Sequence, residues 1–281
     1  MKLLRYGPAG AEKPAMLDAD GAIRCLAAVV RDIDGFTLSP VQIAMLKGID
    51  PTSLPRVEGN PRIGPCVVRP INYICIGLNY ADHAAETGMP IPKEPIIFVK
   101  AGGAYSGPND DVLRPRHSKK LDWEVELGIV IGKTARYVSE DDSMDYVAGY
   151  CVCNDVSERE FQLERGPTWD KGKGADTFGP TGPWMVTKDE IADPQKLSLW
   201  TEVNGKKMQN GSTRTMIFGV KTLVSYVSHF ITLHPGDVIA TGTPPGVAAG
   251  MKPEPVFLQP GDVMRLSVEG LGIQTQRVVQ A

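Results

Sequence analysis

Two stretches of this chain carry side chains at spacings that chemistry could use. The first is KLDWEVELGIVIG, residues 120–132, where Leu121, Trp123, Val125, Leu127, Ile129 and Ile131 alternate with Asp122, Glu124 and Glu126 at the start. Alternation of period two predicts a β-strand with one buried face. The three carboxylates would then follow one another along the other face, about 6.6 Å apart. They repel, and nothing inside the stretch neutralises them. A second apolar run, YCVCND, ends at Asp155. Glu124, Glu126 and Asp155, delivered from two strands, form a set of hard oxygen donors. Such a set suits Mg²⁺ or Mn²⁺, which favour carboxylates and keep water positions open for a substrate. By itself an E-x-E pair is more often a solvated strand face, and its neighbours decide between the two.

The second stretch is GLNYADHAAETG, residues 77–88. Asn79 can cap a short helix and Gly88 can end it, which sets His83 and Glu86 one turn apart on one face. A carboxylate that holds an imidazole fixes its tautomer and raises its basicity, as a general base for water requires. The plain alternative is an ordinary surface His–Glu pair. His117, His229 and His234 have no comparable partner within a helical turn. So short and alanine-rich a helix is marginal alone, which predicts a mobile segment that a ligand would order. Residues 156–184, VSEREFQLERGPTWDKGKGADTFGPTGPW, are dense in Gly, Lys and polar groups and lack strand or helix period. Long functional loops read this way.

Composition excludes several classes. At 281 residues, 42% hydrophobic and 22% charged with a formal net charge of −3, the chain has ordinary globular composition and can bury a sizeable core. No basic patch suits nucleic acid, and no polybasic arm suits a membrane surface. The opening MKLLRYGPAGAEK has too short an apolar run for a signal peptide, and no stretch nears the roughly 18 apolar residues of a membrane helix. A cytoplasmic protein is expected. Five cysteines at irregular spacing read as reduced core thiols, and Cys151 and Cys153 lack the second pair that a zinc site would need. Gly132-Lys133-Thr134 ends like a phosphate loop, but Leu127 stands at its upstream glycine position. GKGADT, at 172–177, lacks the last glycine of a dinucleotide fingerprint, and no G-x-S-x-G elbow occurs.

The elements that would position these residues divide into three parts. Residues 1–60 read as a small separate unit, with a hairpin turning at Asp20-Gly21 in AMLDADGAIRCL. A helix follows in LSPVQIAMLKG: Ser39 as N-cap, Pro40 first, Gln42 closing a capping box, Leu38 and Ile43 as a staple, Gly48 at the end. Residues 61–72 are a Pro- and Gly-rich linker. Residues 73–281 are mainly strand: YICIGL, PIIFVKA, WEVELGIVIG, VAGYCVCNDVS, WMVTK, LWTEVNG, DVIATGT and DVMRLSVEG. One long helix is expected in TMIFGVKTLVSYVSHFITL, with Ile217, Val220, Leu223, Val224, Val227 and Ile231 on one face. Strands outnumber helices without alternating with them, so the fold class is a β-rich α+β domain.

Read in order, GLNYADHAAE, DWEVELGIVIGK, CNDVSERE, KGKGADTFGPTGPW and LHPGDVIATGTPPGV resemble the successive blocks of the fumarylacetoacetate hydrolase family, over roughly residues 70–270. The N-terminal unit and GMKPEPVFLQPGD are most similar to the bacterial branch of 2,4-diketo-3-deoxy-L-rhamnonate hydrolases and ureidoglycolate lyases. Ala248 departs from the glycine that many members carry after TPPGV. The resemblance implies the family's mixed β-roll and a homodimer. It places Glu124, Glu126 and Asp155 on ligands for Mg²⁺ or Mn²⁺, and His83 and Glu86 on a catalytic dyad in a lid helix. Lys173 falls with Arg159 and Gln162 on the oxyanion and substrate contacts, and Lys100, Thr177 and Thr243 fall on the substrate side. Asp122 matches no ligand position. The implied reaction is hydrolysis of a C–C bond in a 2,4-diketo acid of acylpyruvate type, sugar-acid derived, giving pyruvate and a small hydroxy acid. Ureidoglycolate lyase, oxaloacetate-type decarboxylase and dienoate isomerase share the metal site as alternatives, and a metal-stabilised scaffold protein is the non-catalytic one. A cation among the carboxylates would answer their repulsion.

Overall fold

A computed structural model describes residues 1–281, and its elements are those of the β-rich α+β class. One ten-stranded mixed sheet runs in the order Ile23–Cys25, Lys13–Leu17, Lys2–Tyr6, Gly179–Thr187, Val147–Asn154, Val125–Ile131, Val238–Ala240, Tyr73–Gly77, Ile96–Val99. Tyr105–Ser106 pairs with Gly179–Thr187 off this path. A five-stranded sheet holds Lys206–Ser212, Ser198–Val203, Val263–Val268, Ile273–Gln280 and Val112–Arg114. No helix is long and apolar enough to cross a membrane.

The strand Val125–Ile131 is buried at every position. Leu127, Ile129 and Ile131 join Tyr150, Val152, Leu199 and Leu266 in the larger core. Val130, of opposite parity, joins Cys151, Cys153, Val238 and Ala240 in a second. The expected half-buried strand is therefore covered on both faces, and its acidic row is buried too. The run is also interrupted. Leu121–Asp122 pairs separately with Ser157–Glu158, and the strand begins only at Val125. Between them Glu124 turns its backbone N–H to Asn154 Oδ1 at 3.1 Å and its carbonyl to the Asp155 N–H at 2.9 Å.

Four neighbouring strands finish at the same edge. Val125–Ile131 starts where its antiparallel neighbours Val147–Asn154 and Val238–Ala240 end, and Tyr73–Gly77 lies parallel to the latter. Glu126, Asp155, the segment after Ala240 and the helix after Gly77 are thereby gathered at one place. Ile96 reaches the same edge opposite Gly77. Gathering them is what the sheet does for the site.

The N-terminal residues lengthen this sheet. Lys2–Tyr6 pairs with both Lys13–Leu17 and Gly179–Thr187, and the helix Pro40–Lys47 sends Ile43 and Leu46 into the second core. Ser39 stands extended before Pro40 as expected, but no side chain caps the helix, so the capping box does not form. The long helix is Val220–Phe230, with Val220, Leu223, Val224 and Val227 buried; Ile217 and Ile231 flank it. Residues 156–184, expected as a loop, hold the short helices Arg159–Leu163 and Asp170–Lys173 and then the strand Gly179–Thr187. Helices of one turn are too short to show a period. The strand Ile273–Gln280 was hidden because polar residues fill its inner face. Gln274 Nε2 donates to the carbonyls of Val152, Pro180 and Gly182, and Gln276 Oε1 accepts from Asn154.

Glu158 shows how the 156–184 segment is anchored. It is fully buried; its Oε1 accepts from Ser118 Oγ and from the Lys119 and Lys120 N–H groups, and its Oε2 accepts from Phe161 N at 2.7 Å. Glu158→Ala strands these donors and should lower unfolding free energy in urea by about 1–3 kcal/mol. Glu158→Gln, which keeps one acceptor oxygen, should lose less. A Glu158→Ala protein with an unchanged urea midpoint would refute the anchor.

Candidate active site

Glu124, Glu126 and Asp155 are all buried, and each offers an oxygen within 4.8 Å of the others. Octahedral donors about 2.1 Å from an ion lie about 3.0–4.2 Å apart, so small closure of the three would suit Mg²⁺ or Mn²⁺. The donor set is all carboxylate oxygen, the chemistry these hard ions prefer. Asp155 Oδ1, beyond its 2.5 Å ion pair with Lys100, accepts no hydrogen bond. Among the protein's own groups only the Gly242 N–H, at 2.9 Å, reaches Glu126.

Cations offset the other carboxylates. Lys173 Nζ donates to Glu124 Oε2 at 2.8 Å and to Asp155 Oδ2 at 2.7 Å. Arg159 Nη2 lies 2.6 Å from Glu124 Oε1, and its Nε donates to Asp122 Oδ2 at 2.8 Å. Burial alone would raise the Glu124 carboxyl, but Lys173 and Arg159 outweigh it and hold it at about 2. Burial would likewise lower Lys173, and Asp155 and Glu124 more than restore it, so the ammonium stays charged. Glu126 goes the other way. Burial, then the charges of Asp155 and Glu124, push it well above the usual carboxylate range. Glu126 is the one member of the triad left without a protein cation.

His83 Nδ1 and Glu86 Oε2 are 3.0 Å apart on the helix Ala81–Thr87, which leaves His83 Nε2 for the cavity. Asn79 is not the cap of this helix. Tyr80 holds that position, and Asn79 instead bonds the Thr241 carbonyl and the backbone of Phe218. Gly88 ends the helix in the left-handed region, as expected. Glu86 Oε1 also accepts from Gly246 N at 3.0 Å, tying the dyad to the loop 241–250. The other side of that loop is held by Asp122, whose oxygens accept from Ala248 N at 2.7 Å and Ala249 N at 3.0 Å. The unusual Ala248 is buried within this contact.

The carboxylate triad, His83, Glu86, Arg159, Gln162 and Lys173 line one cavity of about 350 Å³, and Thr243 lines it too. The Thr243 hydroxyl is engaged: it donates to Val125 O and accepts from Gln209 Nε2. Two expected substrate contacts are not brought to the cavity. Lys100 lies behind Asp155, its Nζ donating to the Lys173 carbonyl at 2.6 Å, so it positions the triad. Thr177 has φ of 66° and accepts from Leu113 N at 2.8 Å, so it braces a turn. Asp122, expected to support the site or its loop and not to be a ligand, has that place, whereas no motif singles out Gln209, which stands in for a strand partner by accepting from Val125 N at 3.0 Å. For Asp122 the alternation with Trp123 was a usable signal; for Gln209 there was none. Gly172 explains part of the GKG sequence, since a Cβ there would sit 2.5 Å from Gln162 N and Glu158 O.

Comparisons with known proteins follow this geometry. The profile described as fumarylacetoacetate (FAA) hydrolase C-terminal matches residues 72–279. A protein of Burkholderia lata carrying the general name hydrolase is 61% identical over 281 residues, all of both chains. Among solved structures, a fumarylacetoacetate hydrolase from Exiguobacterium antarcticum is 36% identical with a TM-score of 0.86, covering 100% of each chain. Maleylpyruvate hydrolase from Sphingobium sp. SYK-6, in complex with manganese(II) ion and pyruvate, is 28% identical with a TM-score of 0.82 and the same coverage. A 2-hydroxyhepta-2,4-diene-1,7-dioate isomerase from Mycobacterium marinum is 32% identical with a TM-score of 0.74, covering 100% of this chain and 98% of its own.

Two outcomes follow from the site's electrostatics. Protons compete with an ion for Glu126, whose proton is held more tightly than usual. Affinity for Mg²⁺ or Mn²⁺ should therefore rise with pH up to the raised Glu126 value and level off above it. Calorimetric titrations below that value, in buffers of differing ionisation heat, should show proton release; pH-independent binding without release would refute this. Separately, Asp122→Ala leaves Arg159 short of a buried partner and frees two loop N–H groups. It should cost about 3–5 kcal/mol in urea unfolding and raise hydrogen exchange at Ala248 and Ala249. Unchanged exchange there would mean that Asp122 does not hold the loop.

Proposed function

The chain belongs to the fumarylacetoacetate hydrolase family, and on that premise we propose that it hydrolyses the C3–C4 bond of an acylpyruvate, releasing pyruvate and a carboxylic acid. The observation that carries this reading is a His83–Glu86 pair at 3.0 Å lining the same cavity as a buried carboxylate triad. A decarboxylase or isomerase on such a triad has no need of a base for water. The similarity to a maleylpyruvate hydrolase that binds manganese(II) and pyruvate supports the same substrate end.

Glu124, Glu126 and Asp155 would hold the divalent ion, which when bound supplies charge stabilisation to the 2-oxo acid end of the substrate. His83 Nε2 takes a proton from water, and Glu86, held on Nδ1, balances the imidazolium. The hydroxide adds to the C4 carbonyl. Arg159 Nη1 donates to Gln162 Oε1 at 3.0 Å, which leaves the Gln162 amide nitrogen as a donor for the developing oxyanion beside Lys173. The C3–C4 bond then breaks with its electron pair on the pyruvate fragment, and the proton on His83 Nε2 goes to that carbon. The resemblance offers 2,4-diketo-3-deoxy-L-rhamnonate as one candidate substrate, to be compared with other acylpyruvates, and a homodimer as the working assembly.

The test is pyruvate release from a panel of acylpyruvates with Mg²⁺ or Mn²⁺, in which a chelator should abolish turnover. The panel includes 2,4-diketo-3-deoxy-L-rhamnonate; oxaloacetate is followed by the same product, ureidoglycolate by release of glyoxylate, and a dienoate by its change in ultraviolet absorbance. His83→Ala should lower acylpyruvate turnover by roughly 10²–10⁴-fold while leaving Mg²⁺ affinity within a small factor. Faster turnover of the dienoate, oxaloacetate or ureidoglycolate than of any acylpyruvate would replace hydrolysis with that alternative. Normal hydrolysis by His83→Ala would remove the base.

A further inference from the structure

The cavity carries a substantial apolar lining beside its charged groups. Leu78, Ile96, Phe98, Trp169 and Val247 line it together with the triad and the dyad, and the apolar lining begins at the charged groups themselves, with Lys173 Nζ 5.2 Å from the centroid of the Phe98 ring. The wall is built, not incidental. Phe98 and Trp169 meet edge to face with centroids 5.3 Å apart, and the indole lies against Gly77, where a Cβ would sit 2.4 Å from its ring. Leu78 lines the same wall with φ of 50°, in the left-handed region that side chains rarely adopt. At the mouth, Met89 and Leu163 line the cavity while 55% and 60% exposed. Thr87 and Lys252 line the cavity as well, Lys252 with an exposed side chain.

We infer that the acyl tail this site accepts is an apolar alkyl or aryl chain, and not a polyhydroxylated sugar-acid tail, with Trp169 as a specificity-determining residue. The inference rests on the acylpyruvate reading. About 350 Å³ is roughly a dozen volumes of about 30 Å³ each, the share of a water molecule, and a pyruvyl unit of six non-hydrogen atoms takes about a third of them. The remainder is left for the tail. Hydroxyls of a sugar-derived tail would lose water against that lining, where Thr87 and the exposed Lys252 are the polar side chains outside the triad, the dyad and their partners, whereas each methylene gains.

The experiment compares kcat/KM, with Mg²⁺ present, for acetyl-, butanoyl-, hexanoyl- and benzoylpyruvate, for 2,4-diketo-3-deoxy-L-rhamnonate and for an acylpyruvate ending in a carboxylate. Binding of uncleavable 2-oxooctanoate, pyruvate and 2-keto-3-deoxygluconate is measured by calorimetry. The expected gain is about fourfold per methylene up to hexanoyl. The polyhydroxylated substrate should fall roughly 100-fold or more below hexanoylpyruvate. 2-Oxooctanoate should bind more tightly than the other two 2-oxo acids. Trp169→Ala should reduce the hexanoyl-to-acetyl ratio roughly tenfold. A rate flat with tail length, or highest for the polyhydroxylated or carboxylate-ended tail, would overturn the inference while leaving hydrolysis standing. If no acylpyruvate is cleaved but 2-oxooctanoate still binds best, the hydrolase reading fails and the apolar subsite stands. An unchanged ratio in a folded Trp169→Ala enzyme would remove that residue from the wall.

Discussion

The repulsion among buried carboxylates at the end of one strand is the constraint that organises the rest of the structure. Two unit charges 4.8 Å apart interact by about 3–4 kcal/mol at an effective dielectric constant near 20, a large share of the stability of an ordinary domain. The chain meets this by bringing cations from elsewhere in the sequence. Lys173 bridges Glu124 and Asp155, Arg159 joins Glu124 to Asp122, and Lys100 closes on Asp155 from behind. Both Lys173 and Arg159 come from the 156–184 segment, whose two one-turn helices exist to deliver them. Glu158 and Gly172 then matter because they fix those helices in place. Compensation stops one charge short, at Glu126, and that shortfall leaves a negative charge that a divalent ion would neutralise.

The His83–Glu86 pair is coupled to the same floor through one loop. Residues 241–250 run alongside Val125–Ile131, where Gly242 N–H meets Glu126 and Thr243 meets the Val125 carbonyl. Further on, Gly246 N–H reaches Glu86, and Ala248 and Ala249 N–H reach Asp122. Glu86 therefore has two duties, one oxygen on the imidazole and one on the loop. A shift of the short helix would move the His83 ring and loosen the loop together. Burial is uneven along that helix: His83 and Ala84 are buried, while Ala85, Thr87 and Gly88 face solvent. Few apolar contacts hold it, so its order depends on these polar ties.

Most of the candidate site was legible in the sequence because its residues lie in short, local patterns. Glu124 and Glu126 show their spacing directly, and His83 and Glu86 are one turn apart whatever the tertiary fold. The strands of the sheet's centre were legible as dense apolar runs. What stayed hidden was polar and long-range. Gln209, Gln274 and Gln276 are fully buried amides that satisfy backbone groups far away in sequence, and a hydropathy pattern scores such residues as exposed. Asp122 was visible as the first of the acidic row, but its partners Ala248, Ala249 and Arg159 lie 37 or more residues away. Lys100 and Thr177 show the converse: residues of the right type near the right blocks, turned by local backbone geometry to work behind the cavity.

The charged and the apolar lining of the cavity come from different parts of the fold. The reacting end is built from strand termini and the loop that runs beside them, positions fixed by the pairing of the large sheet. The apolar lining is drawn largely from Ile96 and Phe98 on an edge strand, from Trp169 at the start of a one-turn helix, from Met89 just past one helix and from Leu163 in the last position of another. Edge strands and helix ends accept substitution at smaller cost than central strands do, because fewer neighbours must repack. A change of tail-binding residue therefore leaves the carboxylate floor and its compensating cations intact, whereas a change at Glu124 or Arg159 exposes an uncompensated buried charge. Chemistry is held by electrostatics in the centre and specificity by apolar contact at the margin, so one scaffold can keep the first while varying the second.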